Sequence, residues 1–149
     1  MVQDLIGAYR QMIARARELL ARPAGGPGWH PLEKAYANRV LQRAEAPATV
    51  QVPLQALRVG DVAVLTLPVE TFAEMGLELK QQTPFPLAFT VSLANGYYGY
   101  MPTVAQHQLG GYESWVGTNR LELEAAPKIS AVLLEFAREL KASAGSSAR

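Results

Sequence analysis

Two short stretches in the middle of the chain carry side chains that can do chemistry together. Glu70 lies three residues beyond the apolar run Val62–Leu67. Asn95-Gly96-Tyr97-Tyr98-Gly99-Tyr100 lies just beyond a second apolar run, Leu87–Leu93. If the two runs are parallel strands, they finish at the same edge of the sheet, and the residues that follow them converge where open α/β sheets bind ligands. A carboxylate and several phenols then face one another across a short gap, as hydrogen-bond acceptor and donors. Each residue also has a plainer account. A glutamate at a helix start is favoured by the macrodipole alone, tyrosines beside glycines often pack loops, and Asn-Gly is a common turn pair.

The elements that must position these groups are legible in outline. Val62–Leu67 is a nearly continuous apolar run, the mark of a strand buried on both faces, which places it inside a sheet. Val50–Leu57 alternates loosely, and the Val59-Gly60-Asp61 turn predicts a hairpin between the two. Pro68 ends the inner strand. Phe72, Met75, Gly76 and Leu79 repeat at helical spacing, which predicts a helix over Glu70–Gln81, stopped by Thr83-Pro84-Phe85-Pro86. Strand, helix, strand over this length is a βαβ unit with parallel strands. A helix is expected over residues 2–22 from Leu5, Tyr9, Met12, Ile13 and Leu20, and another over Pro31–Arg43, with Pro31 in its first turn. Pro23–Trp29 breaks the chain between them. A short helix is expected near Val104–Gln108. Ile129, Val132, Leu133, Phe136 and Leu140 give the clearest helical stripe, with Pro127 at its start. The expected architecture is α+β: a mixed sheet with a βαβ unit and a β-hairpin, flanked by N-terminal and C-terminal helices, in a single domain of residues 1–149. The small polar segment 143–149 is expected to be a disordered tail.

Composition narrows the function classes. The 149 residues are 49% hydrophobic, enough for a core without staples. The formal charge is +1 with 14 basic and 13 acidic residues, so nothing calls for a nucleic acid. Cysteine is absent, which rules out disulfides and thiolate metal sites. No stretch approaches the roughly 18 apolar residues needed to span a bilayer. No signal peptide is visible, so the expected location of the chain as given is the cytoplasm, unless a leader belongs to a longer protein. The basic amphipathic first helix lacks Trp and Phe anchors, and packing by one face explains it better than membrane binding.

Two motifs between Leu57 and Glu113 resemble a known family. Leu67-Pro68-Val69-Glu70-Thr71 is similar to a Pro-x-Glu-x-Thr turn, shifted here to Glu-Thr. Leu93-Ala94-Asn95-Gly96-Tyr97-Tyr98-Gly99-Tyr100-Met101-Pro102-Thr103, followed by Gly110-Gly111-Tyr112-Glu113, is similar to an Asn-x-Tyr-x-x-Tyr-x-x-Thr pattern that ends in Tyr-Glu. Both resemble the neutral, non-lysosomal ceramidases and their bacterial relatives, in the C-terminal part of the catalytic domain. The resemblance implies a zinc-dependent amidohydrolase of sphingolipid metabolism. It also implies Glu70 and Tyr100 as two of the zinc ligands, with Asn95, Tyr97, Tyr98, Thr103 and Tyr112 shaping the pocket or orienting the ligands. The family's other two ligands are histidines from an earlier part of its chain. This chain has only His30 and His107, neither in such a motif. Ala105-Gln106-His107 stands where ceramidases carry Glu-Glu-Tyr, and Trp115-Val116-Gly117-Thr118 also departs. His107 is the alternative ligand, seven residues beyond Tyr100. His30, before Pro31, reads as a loop residue with an extended backbone.

The implied partner is therefore a missing N-terminal portion that carries the histidines, in cis or in trans, with an amide or lipid as substrate. Alone, the chain is expected to bind zinc weakly or not at all and to be inactive. The rival expectation is a non-catalytic ligand-binding or assembly domain that keeps the fold, its tyrosines and Trp115 suiting an apolar or sugar-like ligand. A third is a structural subunit, a homo-oligomer among its forms, whose sheet edge pairs with another chain.

Overall fold

Gly60 begins the sheet by turning the chain back on itself. It takes φ +60° at the first position of the two-residue loop Gly60-Asp61, a conformation without steric cost only for glycine. The loop joins β1 (Gln55–Val59) to β2 (Val62–Thr66), antiparallel from Gln55↔Thr66 to Val59↔Val62. The computed structural model describes residues 2–26 and 30–146; Trp29 and the last three residues of the expected tail lie outside them. The hairpin is present, but β1 starts at Gln55 and not at Val50. Pro53 has no N–H to give a ladder, so pairing begins after it.

β2 runs parallel to β4 (Leu87–Val91), from Val62↔Leu87 to Thr66↔Val91, and the sheet order is β1-β2-β4. The crossover between them is α3 (Ala73–Gln82), so the expected βαβ unit is present. α3 starts three residues later than its periodicity suggests. Glu70 and Thr71 instead form a short strand, β3, parallel to β5 (Tyr100–Met101). Glu70 therefore does not owe its place to a helix macrodipole.

α3 and the C-terminal helix α5 (Ala125–Ser146) cover one face of the three-stranded sheet. Ala63, Leu65, Leu67 and Val69 from the strand side meet Met75 and Leu79 of α3 and Leu133, Leu134 and Ala137 of α5. Ala56 and Ala88 pack against the same core, and their small size lets the helices lie close. Burying each leucine contributes roughly 1.5–3 kcal/mol. β2 is central as expected but is not buried on both sides. Ala63 and Leu65 are inaccessible, whereas Val62 and Val64 are only half-buried. Pro127 sits in the first turn of α5, where its missing N–H is harmless. α5 continues to Ser146, through most of the segment expected to be a tail.

The contacts separate the chain into two compact units where the sequence reads as one domain. The sheet unit holds Gln51–Trp115 and the chain from Asn119 onward. The other unit ends at Val50 and adds Val116–Thr118. It is a helical hairpin of α1 (Val2–Ala21) and α2 (Pro31–Glu45). Its small core is Ala16, Ala37 and Val40, with Ile13, Leu19, Leu20 and Leu41 around it. His30 caps α2: its backbone is extended, at φ −133° and ψ 130°, and Nδ1 accepts the Leu32 N–H at 3.2 Å. Among the described residues no helix is long and apolar enough to cross a membrane.

Candidate functional site

Glu70 and Tyr100 are thirty positions apart, yet they are direct register partners in the β3–β5 pair. The backbone fixes this meeting. Past the ends of β2 and β4 the two chains stay laced: Leu67 N–H to Val91 C=O, Ala94 N–H to Leu67 C=O, and Leu93 N–H to Val69 C=O at 3.1, 3.1 and 3.2 Å. Tyr98 N–H then donates to Pro68 C=O at 2.9 Å and Glu70 N–H to Gly99 C=O at 3.0 Å. Gly99 is buried and takes φ +89°, which a side chain would strain, directly before Tyr100. Leu93 and Asn95 hold the left-handed region at φ 59° and 64°. A leucine there is strained, and the lacing on either side of it keeps it in place.

The Tyr100 hydroxyl donates a hydrogen bond to the Glu70 carboxylate. That bond, then partial desolvation and the carboxylate's charge, push the phenol up from 10.0 to about 12. The fold thus prefers the neutral phenol. Below pH 10 folded and unfolded chains both carry the proton and this preference is fully expressed. Between about 10 and about 12 the unfolded chain has lost a proton that the folded chain keeps, so the contribution fades as pH rises through that window. In an absorbance titration Tyr100 should ionise near pH 12, and Glu70→Gln should lower that step. A titration unchanged by Glu70→Gln would show that the carboxylate does not hold the phenol.

Of the other expected site residues, two stand beside this pair. The Tyr112 ring meets Tyr100 edge to face at 5.7 Å and Trp115 at 5.7 Å, a T-shaped series of three aromatics. Tyr97 is half exposed beneath the Arg120 guanidinium, 5.8 Å from its centroid. Asn95, Tyr98 and Thr103 have structural work. Asn95 Nδ2 donates to Gln55 Oε1 at 3.3 Å, at the start of β1. Tyr98 packs on the core and its hydroxyl donates to the Gln51 C=O at 3.3 Å. Thr103 caps the short helix α4 (Val104–Leu109) in a capping box with Gln106.

His107 leads to a residue that sequence reasoning missed. Asn119 Oδ1 accepts the Leu121 N–H at 2.7 Å, which turns Nδ2 toward His107 Nε2, 3.1 Å away. Nε2 must then be the acceptor, with the ring proton on Nδ1. The lone pair that would serve a metal is thus engaged by an amide. Asn119 is buried and its backbone also bridges to Gly99 and Tyr100, tying α4 to the strand that carries the phenol. Asn119→Ala strands the Leu121 N–H and removes both side-chain bonds. Urea unfolding should show a loss of about 1–3 kcal/mol, with Asn119→Asp losing less because Oδ1 is retained. No loss in Asn119→Ala would mean the amide holds nothing.

What this arrangement offers is two oxygens, a carboxylate and a phenol, on residues paired directly across the strands. Among the described residues no group of three or more His, Cys, Asp or Glu that could hold a metal ion stands together. Neither a protein-family model nor a curated protein sequence matches the chain. A solved structure described as a ceramidase complexed with C2 matches it at 18% identity and a TM-score of 0.55. The match covers 80% of this chain but 21% of the ceramidase, so this chain spans about a fifth of that protein's length. The likeness is one of fold: this chain has a ceramidase-like fold.

Proposed function

We propose that this chain is the C-terminal portion of a zinc-dependent amide hydrolase of the neutral ceramidase kind, and that it supplies half of the metal site. The observation that carries the reading is the direct register of Glu70 with Tyr100, with the phenol donating to the carboxylate. The ceramidase-like fold supports it, as do the Asn95–Thr103 and Gly110–Glu113 motifs. Glu70 and Tyr100 would be the two oxygen ligands, and the remaining ligands would come from a segment outside this chain, in cis or in trans. When bound, zinc supplies a Lewis acid for the amide carbonyl and makes water nucleophilic at neutral pH. Glu70 has two tasks in this reading: it holds the phenol's proton while the site is empty, and it offers its charge to the cation when the proton leaves. Tyr112 packs against the Tyr100 ring and limits its rotation, and the Gly99–Asn119 bridge fixes its backbone. Tyr97, Tyr112 and Trp115 remain partly exposed, an aromatic surface suited to the apolar part of an amide lipid.

The direct test is spectroscopic. A cation that ligates Tyr100 must displace its proton, so in the assembly with the companion segment, and not in the chain alone, zinc should produce a phenolate signal far below the pH at which the metal-free phenol ionises. That signal should vanish in Tyr100→Phe and weaken in Glu70→Gln. Zinc binding without any phenolate signal, or binding that survives both substitutions, would place the metal elsewhere. The second reading, a non-catalytic binding domain, is favoured by the same exposed aromatics and predicts no metal-dependent phenolate at all.

A further inference from the structure

In β1 and β4 the larger apolar side chains face away from the helices. On the helix-covered side the rows are Arg58–Ala63–Ala88 and Ala56–Leu65–Thr90; on the open side they are Val59–Val62–Leu87 and Leu57–Val64–Phe89, with Val91 beyond. Val59 is 67% exposed, Leu87 63%, Phe89 46%, Leu57 45% and Val91 37%. A strand with one wet face normally alternates apolar inside with polar outside. Here β1 and β4 put alanine, threonine and arginine inside and Leu, Val and Phe outside. Parallel pairs such as β2–β4 are normally covered on both faces. The exposed area is on the order of the few hundred Å² that marks an interaction surface.

We infer that this open face is the docking surface for the polypeptide body that completes the ceramidase-like fold. The argument for that occupant is one of length. The fold match takes in 21% of the ceramidase chain and leaves about four-fifths of it outside. A body of that size accompanying this portion would pack on it, and the open sheet face is a second layer's worth of core. Thr66, at the end of the open rows, is four residues before Glu70, about 13 Å along an extended chain, so a body seated there reaches the half-site. The expected identity of that body, a segment bearing the remaining metal ligands, rests on the proposed function; the docking face itself does not.

The test is a photo-crosslinking side chain placed at Val59 or Phe89 of the full chain, expressed in its native cell, with Glu74 on the exposed side of α3 as control. The crosslinked peptide is sequenced. The expected result is a crosslink from positions 59 and 89, and not from 74, to a ceramidase-like segment containing histidines, within the same polypeptide or in another. Phe89→Asp should leave the chain folded, because the side chain is exposed, and should lower the crosslink from position 59 at least tenfold. A crosslink to a second copy of this chain, to any other polypeptide, or to nothing overturns the inference. Glu70→Gln and Tyr100→Phe lie off this face and should leave the crosslink intact. A crosslink to the expected segment in an assembly that carries no zinc would remove the metal reading and leave the docking face standing.

Discussion

The purified 149-residue chain is expected to release no fatty acid from ceramide, with or without added zinc, above the zinc-only blank. Once its companion segment is present, hydrolysis should appear, and Glu70→Gln or Tyr100→Phe should then lower it by on the order of a hundredfold or more, together with zinc content. The first half of this expectation follows from ligand count. A catalytic zinc is held by three protein ligands with a fourth position open, and the described residues offer two oxygens in contact. It also follows from the proton. Tyr100 is held neutral well past its ordinary range by its bond to Glu70, so at neutral pH a weakly held cation cannot displace that proton. The second half follows from geometry. Mutating a group that only orients a ligand commonly lowers metal affinity 10–100-fold, and loss of a ligand should do at least as much. Tyr100→Phe keeps the ring and its edge-to-face contact with Tyr112, so its effect would be that of the oxygen alone. Robust zinc-dependent hydrolysis by the chain alone would show that the remaining ligands already lie within it. Activity in the assembly that is indifferent to both substitutions would show that the pair is structural.

How much of this could be read from the sequence depended on the range of the interaction. The β2–α3–β4 unit and the β1–β2 hairpin rest on local signals: a short apolar run, a Gly-Asp turn, a helical repeat, a proline stop. Those were legible. The convergence of Glu70 with the Tyr97–Tyr100 segment was also legible, because parallel strands must end at one edge. The β3–β5 pair was not. Two residues on each side carry no periodicity, and their pairing is set by lacing between segments some thirty residues apart. For the same reason Glu70 read as a helix start, when α3 begins at Ala73. The roles of Asn95, Tyr98 and Thr103 turned on side-chain direction. Thr103 did carry a readable sign, since Thr-x-x-Gln is a capping-box pattern. Asn119 carried none: a single asparagine after Gly117-Thr118 gives no hint that its two amide atoms bridge His107 and Leu121. The pattern Leu87-Ala88-Phe89-Thr90-Val91 announced a strand but not which side faces the helices. Only the packing shows that the small residues are inside.

That inversion separates two leucines of the same sheet, and with them two kinds of stability. Leu65 points to the helices and is fully buried against α3 and α5; Leu57, one strand over, points to the open side and is 45% exposed. Leu65→Ala removes the same methyl groups as Leu57→Ala but leaves a cavity in a packed core, so it should cost about 2–5 kcal/mol. Leu57→Ala removes surface that water already reaches, and its cost should stay near the ~0.5 kcal/mol of an ordinary surface substitution. Urea unfolding of the isolated chain reads both, provided the slope with denaturant is unchanged. In the assembled protein the ranking of Leu57 should change. If the open face is a second core, Leu57→Ala then creates a cavity of its own, and its loss should approach that of Leu65→Ala. Equal losses already in the isolated chain would mean that the outer face is covered without any partner. A Leu57→Ala cost that stays small in the assembly would mean that the companion body docks elsewhere. The comparison needs no activity and no metal, so it tests the architecture of the completed fold independently of the Glu70–Tyr100 chemistry.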